Sequence, residues 1–251
     1  MQIGRIKIFG LSTNTSAESH KYQAGYVTAA VVSFLFAAVV KDLFPGVIPF
    51  GLFQFWHTTG TVGDWLGTAW PVLAWGAGLT ALASLVTRNT REQNRNAERF
   101  LEAGWFVSLR AGVLEEASFR WAIFMAKIVG LTVVNWLIFG FLGFGVPEWL
   151  QIHIFGPVAN FLTLGLLHDQ LANPANWVVG AAMLSANALF RDGHKYEGLF
   201  GWVNSWFIGM FFFYLMFTYG LIASILVHFL YDALIFTVQY VDRVIERAEG
   251  N

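Results

Sequence analysis

What most constrains this chain is a series of apolar segments, several long enough to cross about 30 Å of hydrocarbon, which takes roughly 20 helical residues. Residues 22–40 form the first, bracketed by Lys21 and Lys41, and residues 69–87 the second. Residues 199–219 and 221–240 give two more, parted by a tight turn at Gly220. The apolar region over 104–144 is too long for one pass and is read as two helices with a break at Gly130; shorter apolar runs end near Leu167 and cover 177–189. The expected fold is therefore all-α, a polytopic transmembrane bundle of about eight segments. It forms one domain over 1–251, with a polar tail at 1–21, no soluble appendage and no internal repeat.

Composition supports the reading. Only 12% of the residues are charged and 56% are hydrophobic, about half the usual charged share of a soluble domain. A net charge of -1 gives no basic surface to neutralise many phosphates, which excludes a nucleic-acid partner. There is no cysteine, so disulfides, thiolate chemistry and cysteine zinc sites are excluded. The polar start carries no compact apolar region behind basic residues, so a cleaved signal peptide is not expected. Residues 41–68 are broken up by Pro45, Pro49, Gly60, Gly63 and Gly67 and read as a re-entrant or interfacial stretch, with Trp56 and Trp65 suited to the headgroup region. Arg88, Arg91, Arg95 and Arg99 make the next connection the most basic loop. By the positive-inside bias that loop is cytoplasmic, as are the N-terminus and the tail bearing Arg243 and Arg247, and 41–68 faces outward.

Charged groups inside apolar segments need a reason, because each costs several kcal/mol or more to desolvate unpaired. Glu115, Glu116 and Arg120 lie in one such segment. Glu116 and Arg120 are four apart, share a helical face and can neutralise each other. Glu115 is rotated about 100° from its neighbour and needs another partner. His228 and Asp232, also four apart, share a face of the last helix, and His194 lies beyond another apolar segment. One such His–Asp pair reads equally well as buried polar groups satisfying each other. Three clusters on three segments point instead to a shared wet cavity. A carboxylate beside a histidine there makes a base able to take a proton from water. A second histidine can stabilise an oxyanion, or two histidines and a carboxylate can bind a divalent metal. Both routes lead to hydrolysis.

Three motifs in order carry a resemblance to a known family. Glu115-Glu116-Ala117-Ser118-Phe119-Arg120 fits EExxxR, Phe190-Arg191-Asp192-Gly193-His194 fits FxxxH, and His228-Phe229-Leu230-Tyr231-Asp232 fits HxxxN or HxxxD. Over residues 101–236 the chain resembles the CPBP intramembrane proteases, the type II CAAX prenyl endopeptidases and their bacterial Abi relatives. The stretch 207–220, with Gly209 and Gly220, is similar to the family's glycine-bearing helix and turn. The resemblance implies that Glu115 and His194 activate the attacking water and that His228 and Asp232 lie around the scissile carbonyl oxygen. It makes Glu116, Arg120 and Phe190 structural supports. It is compatible with Zn2+ held by His194, His228, Asp232 and Glu115, and equally with metal-free glutamate chemistry. The implied partners are the lipid bilayer and a membrane-associated peptide or protein, prenylated in the eukaryotic branch. The implied location is a prokaryotic inner membrane.

The chain departs from the family pattern at three points. Asp232 stands where many members have Asn, and an ionised carboxylate cannot donate to an oxyanion; it is protonated, orients His228 or binds a metal. Arg191 and Asp192 replace small apolar residues, so that helix is expected to end or open to water there. The interval from Arg120 to Phe190 is long, which suggests an inserted hairpin over 132–175. That hairpin contains a competing histidine, His168; His194 is preferred because Phe190 matches and its interval to His228 suits the bacterial members. His20, His57 and His153 read as solvated or hydrogen-bonded, and Lys127 as snorkelling. Two other functions compete: a proton-coupled transporter or channel relaying through Glu115, His194, His228 and Asp232, and a bis-histidine haem protein pairing His228 with His194 or His168.

Overall fold

A computed structural model describes residues 15–87, 97–143 and 145–249. All regular structure in them is helical. Helix α1 spans Thr15–Leu43 and covers the expected first segment; α2 spans Val62–Thr87. Then α3 (Ala97–Glu115), a π-helical stretch (Glu116–Ile123) and α4 (Phe124–Leu137) run on without interruption. Short elements follow: α5 (Val146–Leu150), a π turn (Gln151–Phe155), α6 (Gly156–Leu162) and α7 (His168–Leu171). The chain closes with α8 (Trp177–Gly193), α9 (Gly198–Tyr219) and α10 (Leu221–Glu249). The tail over 1–14 and the basic loop over 88–96, on which the expected orientation rests, lie outside the described residues.

Four helices among the described residues are long and apolar enough to cross a membrane: Val62–Leu85, Gly104–Leu137, Gly198–Tyr219 and Leu221–Glu246. The expected eight are therefore not all present as full crossings. With 17 residues, α8 is about 25 Å long at the usual helical rise, short of a ~30 Å core. The apolar run before Leu167 is divided among α5, a π turn and α6. The break expected at Gly130 is also corrected, since α4 runs through it. One glycine costs a helix only about 1 kcal/mol, and nothing crowds Gly130 that would force a turn. The chain turns instead at Ile138 and Phe139, the latter left-handed at φ 60°.

Helix α10 is the hub, packing on α2, α3 and α9. In lipid such contacts rest on close van der Waals fit, which small residues permit. At Gly112 the α3 backbone lies against α10: a Cβ there would stand 3.0 Å from the Ile225 carbonyl oxygen and 3.1 Å from the Phe229 nitrogen. At one end of the bundle, the α9–α10 turn at Gly220 (φ 99°) is stitched to the 44–61 connection. Thr59 Oγ1 donates to the Thr218 carbonyl at 2.8 Å, and Tyr219 hydrogen-bonds Thr68 at 2.8 Å. Thr61 and Asp64 cap α2 reciprocally. The stretch expected to be re-entrant or interfacial is a largely exposed connection over 44–61 that anchors to the core through buried Ile48 and Phe55.

The buried side chains form two clusters. One, built on Phe119, Phe124, Ile128, Met183, Phe190 and Phe213, joins the π stretch, α4, α8 and α9. The other, with Trp65, Phe212, Leu215, Val227 and Tyr231, joins α2, α9 and α10. The polar residues of the π stretch lie between them.

Candidate active site

Six of the eight residues in the π stretch are buried, Glu116 and Arg120 among them. A π segment bonds i to i+5, widening the helix locally, and such segments recur at functional sites. Close approach at Gly112, one turn earlier, brings Glu116 against α10. There Ser224, His228 and Asp232, four apart, form a polar stripe.

The Glu116 carboxylate is fully buried and has three partners on two other positions of the fold and its own helix. Its Oε2 accepts from Ser224 Oγ at 2.6 Å, its Oε1 accepts from His228 Nδ1 at 2.8 Å, and Arg120 Nη1 stands 3.3 Å from Oε1. The Glu116–Arg120 pairing expected from the spacing is present. Its link to His228 was not legible in the separate motifs.

Arg120 is held in an aromatic cage, with its guanidinium carbon 3.9 Å from the Phe190 ring centre, 5.4 Å from Phe212 and 5.6 Å from Phe213. Rings facing a cation in a dry site contribute real attraction. Asn187 from α8 donates to the Trp206 carbonyl at 2.9 Å. Its Oδ1 and Arg120 Nη2 both crowd the point where a Cβ on Gly209 would stand. Gly209 therefore makes room for the cage.

A carboxylate can only accept, so His228 Nδ1 carries hydrogen and Nε2 faces the other way. That nitrogen lies 3.6 Å from Asp232 Oδ2 and 4.0 Å from Glu115 Oε2. The ring stacks on Phe212 at 4.5 Å between centres, which fixes its plane. Glu115 and Asp232 keep 16% and 27% of their side-chain surface exposed, against 5% for His228 and none for Glu116. The cluster thus has a sealed side and an accessible side, divided by the imidazole.

His194 caps the end of α8, as expected from the polar residues before it. Its Nδ1 donates to the Phe190 carbonyl at 2.9 Å, placing the lone pair on Nε2, and its ring lies 4.6 Å from Phe190. The Phe190 ring also meets His228 edge-on at 6.2 Å between centres, so one aromatic side chain lies between the two histidines. His168 is elsewhere. It is exposed at the start of α7 and lines a cavity of about 300 Å³ with Tyr214, Phe217 and Thr218, at the far end of α9. His153 bonds the Trp149 carbonyl at 2.9 Å.

Beside His194, Asp192 accepts from Trp202 Nε1 at 2.8 Å and pairs with Arg191 at 2.8 Å and Lys195 at 3.1 Å. Burial pushes its carboxyl up, but the hydrogen bonds from Trp202, Lys195 and Arg191 and the Arg191 charge outweigh burial and hold it at about 2.

Among the described residues no group of three or more His, Asp or Glu side chains is arranged to hold a metal ion. Two carboxylates flank His228 Nε2, but Glu115, Asp232, His194 and His228 do not gather about one point as a zinc site requires.

Ser224, Asn187 and Gly112 were missed in the sequence. Ser224 had a signal, the spacing of four from His228 to Asp232 continued backwards. No protein-family model, curated protein or solved structure matches this chain.

Proposed function

We propose that the chain is an integral-membrane endopeptidase that hydrolyses a peptide bond of a membrane-associated substrate. The observation that carries this reading is the two-sided setting of His228, sealed on Glu116 through Nδ1 and turned toward Glu115 and Asp232 through Nε2.

In this reading Glu115 takes a proton from water while His194, presenting its Nε2 lone pair, orients the same water. The water oxygen attacks the carbonyl carbon, and the developing oxyanion is met by His228 with hydrogen on both ring nitrogens. Glu116 compensates the imidazolium from behind. Asp232, 3.6 Å from Nε2, favours hydrogen on that nitrogen through its charge and does not itself donate, which accounts for a carboxylate at that position. Protonated Glu115 then gives its proton to the leaving nitrogen as the C–N bond breaks, releasing an amine and a carboxylate. A preorganised donor of this kind is worth about 10²–10³ in rate.

The exposed edges of Glu115 and Asp232 are where substrate would reach the site in this reading. By the positive-inside bias of the sequence, the protein is a multi-pass, inner-membrane-type protein with its basic segments on the cytoplasmic side. Prenylated and plain membrane peptides both fit the chemistry, which recognises the amide.

The test is incubation of detergent-purified protein with a panel of prenylated and unmodified membrane peptides. Cleavage is expected, and is lost in Glu115→Gln and in His194→Ala. Cleavage that survives both substitutions would refute the site assignment. A second reading, proton-coupled transport, draws on the polar series Glu116–His228–Asp232. It predicts proton flux in proteoliposomes and no cleavage.

A further inference from the structure

His194 lies outside regular helix. It ends α8 at φ -98°, ψ 12° and leads into a single 3-10 turn, Lys195–Glu197, before Gly198 starts α9. Surface connections of this kind are ordinarily mobile, whereas a group that orients water must be held to within about 0.5 Å. Asp192 supplies a restraint. Its Oδ1 takes Trp202 Nε1 from the second turn of α9 and the Arg191 guanidinium, and its Oδ2 takes Lys195 Nζ from the connection itself. Arg191 also lies 4.1 Å from the Trp202 ring centre. One carboxylate therefore joins the end of α8, the connection and the start of α9 around the histidine.

We propose that Asp192 is a positioning residue: by tying Lys195 and Trp202 across the α8–α9 connection, it holds His194 at the mouth of the Glu115–His228–Asp232 cluster. The proposal rests on reading that cluster as the hydrolytic site. The plainer account is an exposed ion-pair network with little weight in stability and no bearing on the reaction.

Two measurements on the full-length protein in detergent separate these accounts. The first is steady-state cleavage of a membrane peptide by Asp192→Ala, Trp202→Phe and Asp192→Glu. Misplacement by about 1 Å costs on the order of 10²-fold in rate. The first two variants should therefore lose about 10- to 100-fold in kcat with KM little changed, and Asp192→Glu, which keeps the carboxylate, should recover most of it. The second needs no activity: carbethoxylation of individual histidines by diethyl pyrocarbonate, read by peptide mass mapping. His194 should react several-fold faster in Asp192→Ala, while exposed His57 keeps its rate. Unchanged His194 labelling overturns the proposal, as does faster labelling with unchanged kcat. Wild-type protein that cleaves no peptide would instead refute the hydrolytic reading, and the labelling would still report whether Asp192 holds His194.

Discussion

Replacing Glu116 by Gln isolates the charge at the sealed side of the site. The amide can keep most of the hydrogen bonds. Its oxygen accepts from His228 Nδ1, and its NH2 turns to Ser224, whose hydroxyl is free to donate to the Phe212 carbonyl 3.1 Å away. What is lost is the counter-charge 3.3 Å from Arg120, a guanidinium with no solvent exposure. Breaking a buried ion pair by removing one partner costs about 3–5 kcal/mol, because a charge is left uncompensated. On the scale of domains this size, that corresponds to a fall in Tm of roughly 6–20 °C. The assay is thermal unfolding of detergent-purified wild type and Glu116→Gln, with Glu116→Gln/Arg120→Met as the closing corner. Removing the orphaned cation should restore part of the loss, since an apolar replacement of a buried pair is often tolerated. Glu115→Gln, at the accessible side, should leave Tm close to wild type. A Glu116→Gln protein within about 2 °C of wild type, less than 1 kcal/mol on the same scale, would refute the assignment of Glu116 as the buried counter-charge.

Other outcomes follow from the same geometry. Ser224→Ala removes a 2.6 Å donor from a buried carboxylate and should cost about 1.5–3 kcal/mol in stability, read as a Tm shift. Asp232→Asn keeps an acceptor beside His228 Nε2 and should retain most of the cleavage activity; a stoichiometric metal bound by wild type and lost in this variant would make residue 232 a ligand instead. The interactions of Asp192 depress its carboxyl from 3.8 to about 2, so their stabilising effect is present above 3.8 and is lost as pH falls through 2. Any Tm advantage of wild type over Asp192→Asn should therefore hold from neutrality to about pH 4 and narrow only in stronger acid.

Much of the fold was legible because lipid-spanning helices leave long apolar signatures. The segments at 69–87, 199–219 and 221–240 all lie within observed helices, and Gly220 makes the expected turn. The errors arose where length and interruption had to be weighed. Gly130 reads as a breaker, yet glycine inside a helix costs too little to end it when no packing demands a turn. Conversely, the apolar stretches before Leu167 and within α8 read as crossings but are divided or too short. For the site, the Glu116–Arg120 pair followed from helical spacing alone. The bond from Glu116 to His228 joins residues 112 apart in the chain and depends on the α3–α10 approach at Gly112, where the sequence records only a glycine. Likewise Asn187 looks like an ordinary helix residue, and Gly209 has its resemblance but no stated role, until the Arg120 cage brings them together.

Cleavage of a membrane peptide by wild type and Glu115→Gln, both reconstituted in liposomes with their Tm values compared, decides whether Glu115 activates the attacking water. The wild type should cut the peptide, and Glu115→Gln should be slower by about 10²–10⁴-fold with its fold intact. A Glu115→Gln protein that cleaves at the wild-type rate would contradict that role.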